Sequence, residues 1–238
     1  MSRPSRLLLK LSGQTLRADE PAGIATEAVA GMAQGVAAIH REGVETACVI
    51  GGGNIFRGVA AAARGMDRVT ADSIGMLATL INALALQDAL ERSDCPTRVM
   101  SAITVRQMAE PFIRRRALRH LEKGRIVIFA TGTGNPYFST DTAAALRAAE
   151  IRADALIKAT RVSGVYTGDP ENDPDARPIR RLTHLEAIRQ ELRFMEPTAI
   201  SLCMENNLPI IVCHQRDLVR AATGEDVGTR VDAAPALE

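Results

Sequence analysis

The chain has 238 residues, carries a formal net charge of +1 and is 46% hydrophobic. This length suits one large domain or two small ones, and we predict a single domain over residues 1–238. The near-neutral charge provides no global field for nucleic acid, and 3% aromatic residues without Trp argue against a base-stacking surface. No uninterrupted apolar run approaches the roughly 18 residues of a membrane span, and the N-terminal run is too short for a signal peptide. We therefore expect a cytoplasmic protein that binds neither nucleic acid nor membrane.

The cysteines and lysines are few and widely spaced. No Cys-x-x-Cys pair occurs and no histidine stands at ligand spacing, so we expect buried free thiols in a reducing compartment. Lysine occurs three times in a chain rich in arginine, which suggests positions that need a compact charge. The residues concerned are Cys48, Cys95, Cys203 and Cys213, and Lys10, Lys123 and Lys158.

Apolar runs and helical spacing alternate along the chain. Strands are predicted over residues 6–13, 44–50, 97–103, 125–131, 153–160 and 208–214. Helices are predicted over residues 24–40, 72–91, 106–123, 139–151, 183–192, 196–207 and 216–223. The alternation, with strands that are almost continuously apolar, predicts an α/β three-layer sandwich whose mainly parallel central sheet is covered by helices on both faces.

Several residues are predicted to begin, bend or interrupt these helices. Asp72 is the candidate N-cap of the second helix, Pro111 bends or splits the third, and Ser139 or Thr140 opens the fourth. A Thr-x-x-Glu capping box begins at Thr183. Residues 168–178 are rich in turn formers and predict an exposed loop, and the tail 232–238 is expected to be frayed.

Glycine-rich turns follow four of the predicted strands: "KLSG" (10–13), "GGGN" (51–54), "TGTGNPYFSTD" (131–141) and "KATRVSGVYTGDP" (158–170). The carboxyl ends of parallel strands are where such sheets bind ligands, and bare backbone amides there suit anions. Neither a Walker A sequence nor a G-x-G-x-x-G sequence is present. Four such turns, with Lys10 and Arg57, predict two phosphorylated ligands whose phosphates approach the backbone of residues 51–53.

The segments "LLLKLSG", "VIGGGNIFRG", "GMLATLINALALQDAL", "ATGTGNPYFSTD" and "IKATRVSGVYTGDP" resemble the bacterial uridylate kinases of the amino-acid kinase superfamily. The resemblance runs in order from about residue 6 to residue 231, and "GTGNPYFSTD" is its most specific part. It implies an amino-acid kinase-like fold that transfers the γ-phosphoryl group of Mg·ATP to UMP, giving UDP and ADP in pyrimidine nucleotide biosynthesis. Mg²⁺ would bind as part of the Mg·ATP complex, and the resemblance implies no separate metal site formed by the protein.

The resemblance also implies roles for individual residues, with UMP mainly in the N-terminal part and ATP mainly beyond about residue 153. The catalytic residues would be Lys10, Arg57, Asp141 and Glu196, with Asp141 orienting Lys10. ATP would contact Lys10, Leu11, Ser12, Gly13, Gly53, Arg57, Thr160, Tyr166 and Asp169. UMP would contact Gly52, Asp72, Thr133, Gly134, Asn135, Pro136, Tyr137, Phe138, Ser139 and Thr140.

Each of these roles has a structural alternative. Lys10 could extend along a strand edge, Asp72 could only cap a helix, and Asp141 could be only a first-turn charge. Tyr166 could be ordinary packing, and Lys158 could contact phosphate or form a salt bridge at the strand end. The sequence leaves these alternatives open.

The chain departs from the pattern of these kinases at Gln14, Arg161, Ser163, Glu196 and His214. Relatives usually carry Glu, Lys, Asp, Asp and Asn there, so the departures concern catalytic rate and base contacts more than the fold.

Many relatives are hexamers regulated by GTP and UTP, and the resemblance implies the same here. The apolar helix 72–91 would supply a subunit contact, and Arg98 and Arg125 would belong to an effector site.

Two other functions remain open from the sequence. One is a kinase of the same superfamily acting on a carboxylate or carbamate, against which "GTGNPYFSTD" speaks. The other is a non-catalytic nucleotide-binding or storage assembly, suggested only by the departures at Gln14, Ser163 and Glu196.

Overall fold

A computed structural model describes residues 3–18, 22–170 and 172–233. The tail predicted to be frayed lies outside this range from residue 234 onward. The described strands are, in chain order, β1 (Arg6–Leu11), β2 (Glu45–Ile50), β3 (Thr97–Ser101), β4 (Glu110–Pro111), β5 (Ile126–Ala130), β6 (Ala155–Thr160), β7 (Val165–Tyr166), β8 (Pro178–Ile179), β9 (Arg181–Thr183), β10 (Ile210–His214) and β11 (Thr229–Asp232).

The helices alternate with these strands, as the sequence predicts. They are α1 (Thr26–Arg41), α2 (Gly58–Ala62), α3 (Arg68–Glu91), α4 (Arg114–Glu122), α5 (Thr140–Ile151), α6 (His184–Arg189), α7 (Pro197–Glu205) and α8 (Leu218–Ala222). Two 3₁₀ helices span Gly13–Arg17 and Gln215–Asp217.

Nine strands form one twisted sheet in the order β4-β3-β5-β2-β1-β6-β10-β11-β9, and β7 pairs separately with β8. All neighbours in the large sheet are parallel except β10 and β11. The predicted mainly parallel α/β sandwich is therefore confirmed. The parallel arrangement brings the carboxyl ends of β1, β2, β5 and β6 to one edge, where the four glycine-rich turns begin.

The two faces of the sheet bury separate hydrophobic clusters. On β1, Leu7, Leu9 and Leu11 pack with α1, α3 and α8, whereas Leu8 packs on the opposite face with α4, α5, α6 and α7. Because side chains alternate along a strand, Lys10 shares the face of Leu8 and points toward the side of the sheet that carries α5.

Helix α3 packs against α1, α2 and strands β3 and β5, while part of its apolar surface remains exposed. Contrary to the sequence expectation, it is long and apolar enough to cross a membrane, with a mean hydropathy of 1.5 over its most apolar window. Of that window, 39% is buried inside the protein. The core helix of a soluble protein can have the same length and hydropathy, and α3 contacts the sheet through β3 and β5.

Two local predictions are wrong. The N-cap of α3 is Asp67, whose side chain accepts a hydrogen bond from the Thr70 amide, so Asp72 lies one turn inside the helix. The predicted helix 106–123 begins only at Arg114, because residues 110–111 form the edge strand β4. Pro111 is therefore part of the edge strand β4, a position where the lack of a backbone N–H group is tolerated.

The predicted caps at Ser139 and Thr183 are confirmed. Ser139 accepts hydrogen bonds from the amides of Asp141 and Thr142, and Thr183 forms the complete capping box with Glu186. All four cysteines are buried and free, as expected.

Candidate active site

Two lysines and one aspartate meet at the carboxyl ends of β1 and β6. Lys10 and Lys158 are register partners on these adjacent parallel strands. Asp141, in the first turn of α5, places Oδ1 2.9 Å from the ammonium of Lys10 and Oδ2 2.7 Å from that of Lys158. We call these three residues the lysine–aspartate cluster; its side chains are 12–13% exposed.

The electrostatics of the cluster follow from burial and from the excess of one positive charge. Burial alone would raise the pKa of Asp141, but the ammonium groups of Lys10 and Lys158 outweigh it, and the pKa lies below its usual value. Burial lowers the pKa of Lys158, and Asp141 partly offsets this effect. The cluster therefore holds an ionised carboxylate between two cations, a site suited to further negative charge.

Two glycines of the first two turns, Gly13 and Gly52, are required by contacts within the protein itself. A Cβ on Gly52 would lie 2.8 Å from the Cβ of Ala78 in α3, and one on Gly13 would lie 2.0 Å from the carbonyl oxygen of Gly51. At Gly51 and Gly53, by contrast, the nearest atoms would be 3.5 Å and 3.8 Å away. The sequence interpretation attributed residues 51–53 to approaching phosphates, but at residue 52 helix packing already requires glycine.

A large cavity of about 660 Å³ lies beyond the end of β6. Three residues predicted to bind ATP line it together, Thr160, Tyr166 and Asp169. Its opposite wall is formed by residues 190–194, between α6 and α7, which the sequence analysis did not identify. The capping box of Thr183 and Glu186 and the helical spacing after it indicate only the preceding helix, and no motif in "QELRF" (190–194) marks a binding wall.

A small cavity of about 170 Å³ lies between α3 and the turn before α5. It brings together Gly52 and Asp72 with most of the predicted UMP residues, and it includes Glu196. The predicted members that line it are Gly52, Asp72, Asn135, Tyr137, Phe138, Ser139 and Thr140.

Asp72 is held in the small cavity by two hydrogen bonds to its Oδ2, each 2.8 Å long. The donors are Nε of Arg68, one turn earlier in α3, and the amide of Tyr137. The guanidinium of Arg68 also lies 5.3 Å from the centre of the Tyr137 ring. Arg68 was missed from the sequence, although its position four residues before an aspartate in a helix is a recognisable pairing signal.

The turn 133–138 separates the small cavity from a third one of about 440 Å³ between α5 and α7. Thr133, Asn135 and Phe138 line this third cavity. Gly134 has a φ of +83°, and a Cβ there would lie 3.2 Å from that of Ala102, so glycine is needed for both conformation and space. Pro136 belongs to the same turn but lines none of these cavities.

The structure does not bring every predicted residue into these two cavities. Leu11 and Ser12 line a separate cavity of about 370 Å³ beside α1 and His214. Arg57 is exposed next to Gly53, whose carbonyl accepts a 3.3 Å hydrogen bond from its Nε. Ser12 directly follows β1 and Arg57 lies in the turn after β2, so both residues remain at the carboxyl edge of the sheet.

The predicted effector arginines lie at the opposite edge, near the amino ends of β3 and β5. Arg98 approaches Glu91 at 3.4 Å and Glu110 at 3.8 Å, and Nη1 of Arg125 lies 3.0 Å from Nδ1 of His120. Nε2 of His120 is in turn 3.2 Å from Glu110. The two arginines thus share one polar network, remote from the lysine–aspartate cluster.

The residues that depart from the kinase pattern surround the site. Arg161 lines the large cavity and Glu196 the small one, Gln14 faces Gly53, and His214 accepts a 3.1 Å hydrogen bond from the amide of Arg216. Ser163 lies in the exposed turn after β6. Within the described parts of the chain, no group of three or more His, Cys, Asp or Glu side chains could hold a metal ion.

Comparison with known proteins agrees with this geometry. Residues 5–214 match the model of the amino acid kinase family. The chain is similar to the crystal structure of UMP kinase from Bacillus anthracis, with a TM-score of 0.94 and 38% identity over 99% of this chain and 98% of that one.

Two further solved structures are similar over nearly the whole chain. UMP kinase from Ureaplasma parvum has a TM-score of 0.88 and 34% identity, covering 97% of this chain and 99% of that one. Uridylate kinase from Archaeoglobus fulgidus has a TM-score of 0.73 and 27% identity, with coverages of 94% and 99%. The chain therefore belongs to the amino acid kinase family.

Proposed function

We propose that this protein is a UMP kinase, a nucleoside monophosphate kinase that transfers the γ-phosphoryl group of Mg·ATP to UMP. The observation that carries the proposal is the lysine–aspartate cluster, which lies next in the chain to residues of two cavities: Thr160, two residues after Lys158, lines the large one, and Thr140, next to Asp141, lines the small one. The likeness to UMP kinases over almost the full chain supports the choice of acceptor.

The large cavity is the proposed ATP site. Tyr166 supplies an aromatic wall, while Thr160 and Asp169 supply oxygen atoms beside the end of β6. At 660 Å³ the cavity falls within the range of small-molecule and cofactor sites.

The small cavity is the proposed acceptor site. The Asp72 carboxylate is an acceptor for ribose hydroxyls, and Asn135 with residues 137–140 borders the nucleotide, while Thr133 lines the adjoining third cavity. The positive end of the helix dipole of α5, which begins after Ser139, favours the negative charge of a phosphate. The site divides between an N-terminal part for UMP and a C-terminal part, from about residue 153, for ATP.

Phosphoryl transfer requires two anions held in line and neutralisation of the charge that develops between them. Lys10 is a compact cation on a flexible stem that can follow the transferring group, and Asp141 orients it. Arg57 faces the phosphates from the second turn, and Glu196 borders the acceptor side. Mg²⁺ enters as part of the substrate and supplies additional positive charge to the ATP phosphates.

Oligomerisation and regulation complete the proposal. The exposed apolar side chains of α3, with Val69 at 42%, Leu77 at 45% and Ile81 at 49%, suit burial in a subunit contact of a homohexamer. Arg98 and Arg125 supply the cations of a GTP or UTP effector site. We also infer a soluble, cytoplasmic enzyme of pyrimidine nucleotide biosynthesis.

The experiment is an ADP-release assay with Mg·ATP and one acceptor at a time: UMP, CMP, dUMP or N-acetylglutamate. Rapid turnover with UMP and little with the others supports the proposal. Turnover with N-acetylglutamate alone identifies a carboxylate kinase. Binding of ATP without turnover on any acceptor identifies the non-catalytic assembly, which no observation on the described chain favours.

A further inference from the structure

We propose that Lys158 is a positioning residue, which fixes residues 190–196 against the Lys10–Asp141 pair and does not contact the transferred phosphate. This inference rests on the proposed function, because it assigns the wall formed by residues 190–196 to both nucleotide sites. It decides between the two roles that the sequence leaves open for Lys158.

The two lysines differ in how many partners they already have. The Nζ atom of Lys10 has Asp141 as its only partner among the described residues. That of Lys158 donates to Oδ2 of Asp141 and to the carbonyl oxygen of Phe194. An ammonium group has three donors, so Lys10 keeps two for a phosphate, whereas Lys158 has committed two of its three.

The Phe194 carbonyl belongs to a segment that both cavities share. Residues 190–194 line the large cavity, and Glu196 lines the small one. In the described chain, residues 193–195 take part in no backbone–backbone hydrogen bond, although the flanking residues 190–192 and 196 do. The hydrogen bond from Lys158 is therefore the polar anchor in the middle of this segment, and the buried Met195 is its apolar anchor.

Glu196, at the far end of the segment, also acts electrostatically on Lys158. The carboxylate of Glu196 acts on Lys158 in the same direction as that of Asp141, favouring its charged form. Lys158 thus lies between Asp141, which orients Lys10, and a segment whose two ends face different cavities. Removing the ammonium group of Lys158 would remove its hydrogen bond to the Phe194 carbonyl and leave Lys10 as the remaining cation beside Asp141.

The test compares Lys158→Met with Lys123→Met, which makes the same chemical change on an exposed lysine after α4. We expect Lys158→Met to lower kcat on the order of a hundredfold, the size of effect that slight misplacement of reacting groups produces. Affinity for a non-hydrolysable ATP analogue should fall on the order of tenfold, and affinity for UMP should fall less, because only Glu196 of this segment lines the small cavity. Lys123→Met should change none of these quantities.

Hydrogen exchange followed by mass spectrometry supplies a readout that general destabilisation would not produce. In Lys158→Met, amides of residues 190–196 should exchange faster while those of β6 and β10 keep their protection. Faster exchange throughout the chain would overturn the positioning role in favour of a general structural one. Unchanged exchange at residues 190–196, with kcat reduced and both affinities intact, would overturn it in favour of direct phosphate contact.

If Lys158→Met does not fold, Lys158→Arg replaces it, since arginine keeps a cation and donors for both partners. The proposal then predicts that analogue affinity and kcat both stay near those of the wild type; a loss of kcat on the order of a hundredfold with analogue affinity intact and residues 190–196 still protected would contradict it. The binding and exchange measurements need no turnover. They remain informative if UMP proves not to be the acceptor, which only the acceptor assay would reveal.

Discussion

Lys10 and Lys158 occupy partner positions on the neighbouring strands β1 and β6, and a single carboxylate, that of Asp141, binds both. Like charges at adjacent sheet positions repel, so this pair persists because Asp141 enters between them from the first turn of α5. The arrangement leaves one positive charge in excess at the edge of the sheet where the glycine-rich turns meet. We consider this excess charge the centre of the proposed reaction.

Lys10→Ala should lower kcat by about 10²–10³, because it removes charge stabilisation that is strongest in the transition state. Circular dichroism should show the native fold, since Asp141 keeps Lys158 as a partner. Steady-state kinetics with UMP check the prediction, with Lys123→Ala as the control. Near-native turnover of Lys10→Ala would remove Lys10 from the mechanism.

Asp72→Asn should raise the KM for UMP by about ten- to a hundredfold, the loss of a charge-assisted hydrogen bond of about 1.5–3 kcal/mol. The KM for ATP should change little, because Asp72 lines only the small cavity. Initial rates measured while each substrate is varied separate the two constants. A change confined to the KM for ATP would reverse our assignment of the two cavities.

Asp141→Asn should destabilise the protein by about 3–5 kcal/mol at neutral pH, because it removes the carboxylate that Lys10 and Lys158 share and leaves both buried ammonium groups without a counter-charge. Because the two ammonium groups lower the folded-state pKa of Asp141, its stabilising contribution is present above the unfolded-state pKa of about 3.9. That contribution is lost as the pH falls through the lower folded-state pKa.

Urea unfolding of the wild type and Asp141→Asn at pH 7 and at decreasing pH below 4 tests this sign. The difference in unfolding free energy between the two proteins should shrink as the pH is lowered. A difference that is constant, or that grows toward low pH, would contradict an ionised Asp141 in the folded protein.

Gly52→Ala should destabilise the protein by about 1–3 kcal/mol, the usual cost of overpacking, because its Cβ would lie 2.8 Å from that of Ala78. Gly51→Ala is the matched control, since the nearest atom there is 3.5 Å away. Urea midpoints of the two variants should therefore differ. Equal stabilities would show that α3 adjusts freely, and that phosphate approach remains the better reason for glycine at residue 52.

Ile81→Glu should dissociate the proposed oligomer, because it places a charge in the exposed apolar face of α3. Leu185→Glu makes a similar change on the exposed surface of α6 and should leave the assembly intact. Light scattering coupled to size exclusion gives the mass of each variant. An unchanged mass for Ile81→Glu, or a monomeric wild type, would exclude this face as the contact.

The long elements could be predicted from the sequence because burial on both faces makes their strands continuously apolar, as "IVIFA" in β5 illustrates. The short strands β4, β7, β8, β9 and β11 could not, since two to four residues carry no period. Asp67 was overlooked as the α3 cap because Asp72 directly precedes the more strongly apolar run, whereas the helix begins one turn earlier.

In the candidate site, the family resemblance predicted that Asp141 meets Lys10 and that Asp72 lies near the turn 133–140. The structure shows both contacts, and the roles of these residues stay predictions. Other parts of the site depend on backbone geometry and could not be predicted. The wall 190–194 contributes through its position between α6 and α7, and the role of Lys158 depends on a carbonyl 36 residues away. Similarly, only the approach of α3 reveals that Gly52 is needed for packing.

The most direct test of the central claim follows the phosphoryl group itself. Wild-type protein is incubated with UMP and Mg·ATP that carries a radioactive γ-phosphate, and the products are separated by thin-layer chromatography. Our account predicts that the label appears in UDP, and that Lys10→Ala slows its appearance by about 10²–10³. Label that remains in ATP, or that is released as inorganic phosphate without labelled UDP, would contradict a UMP kinase.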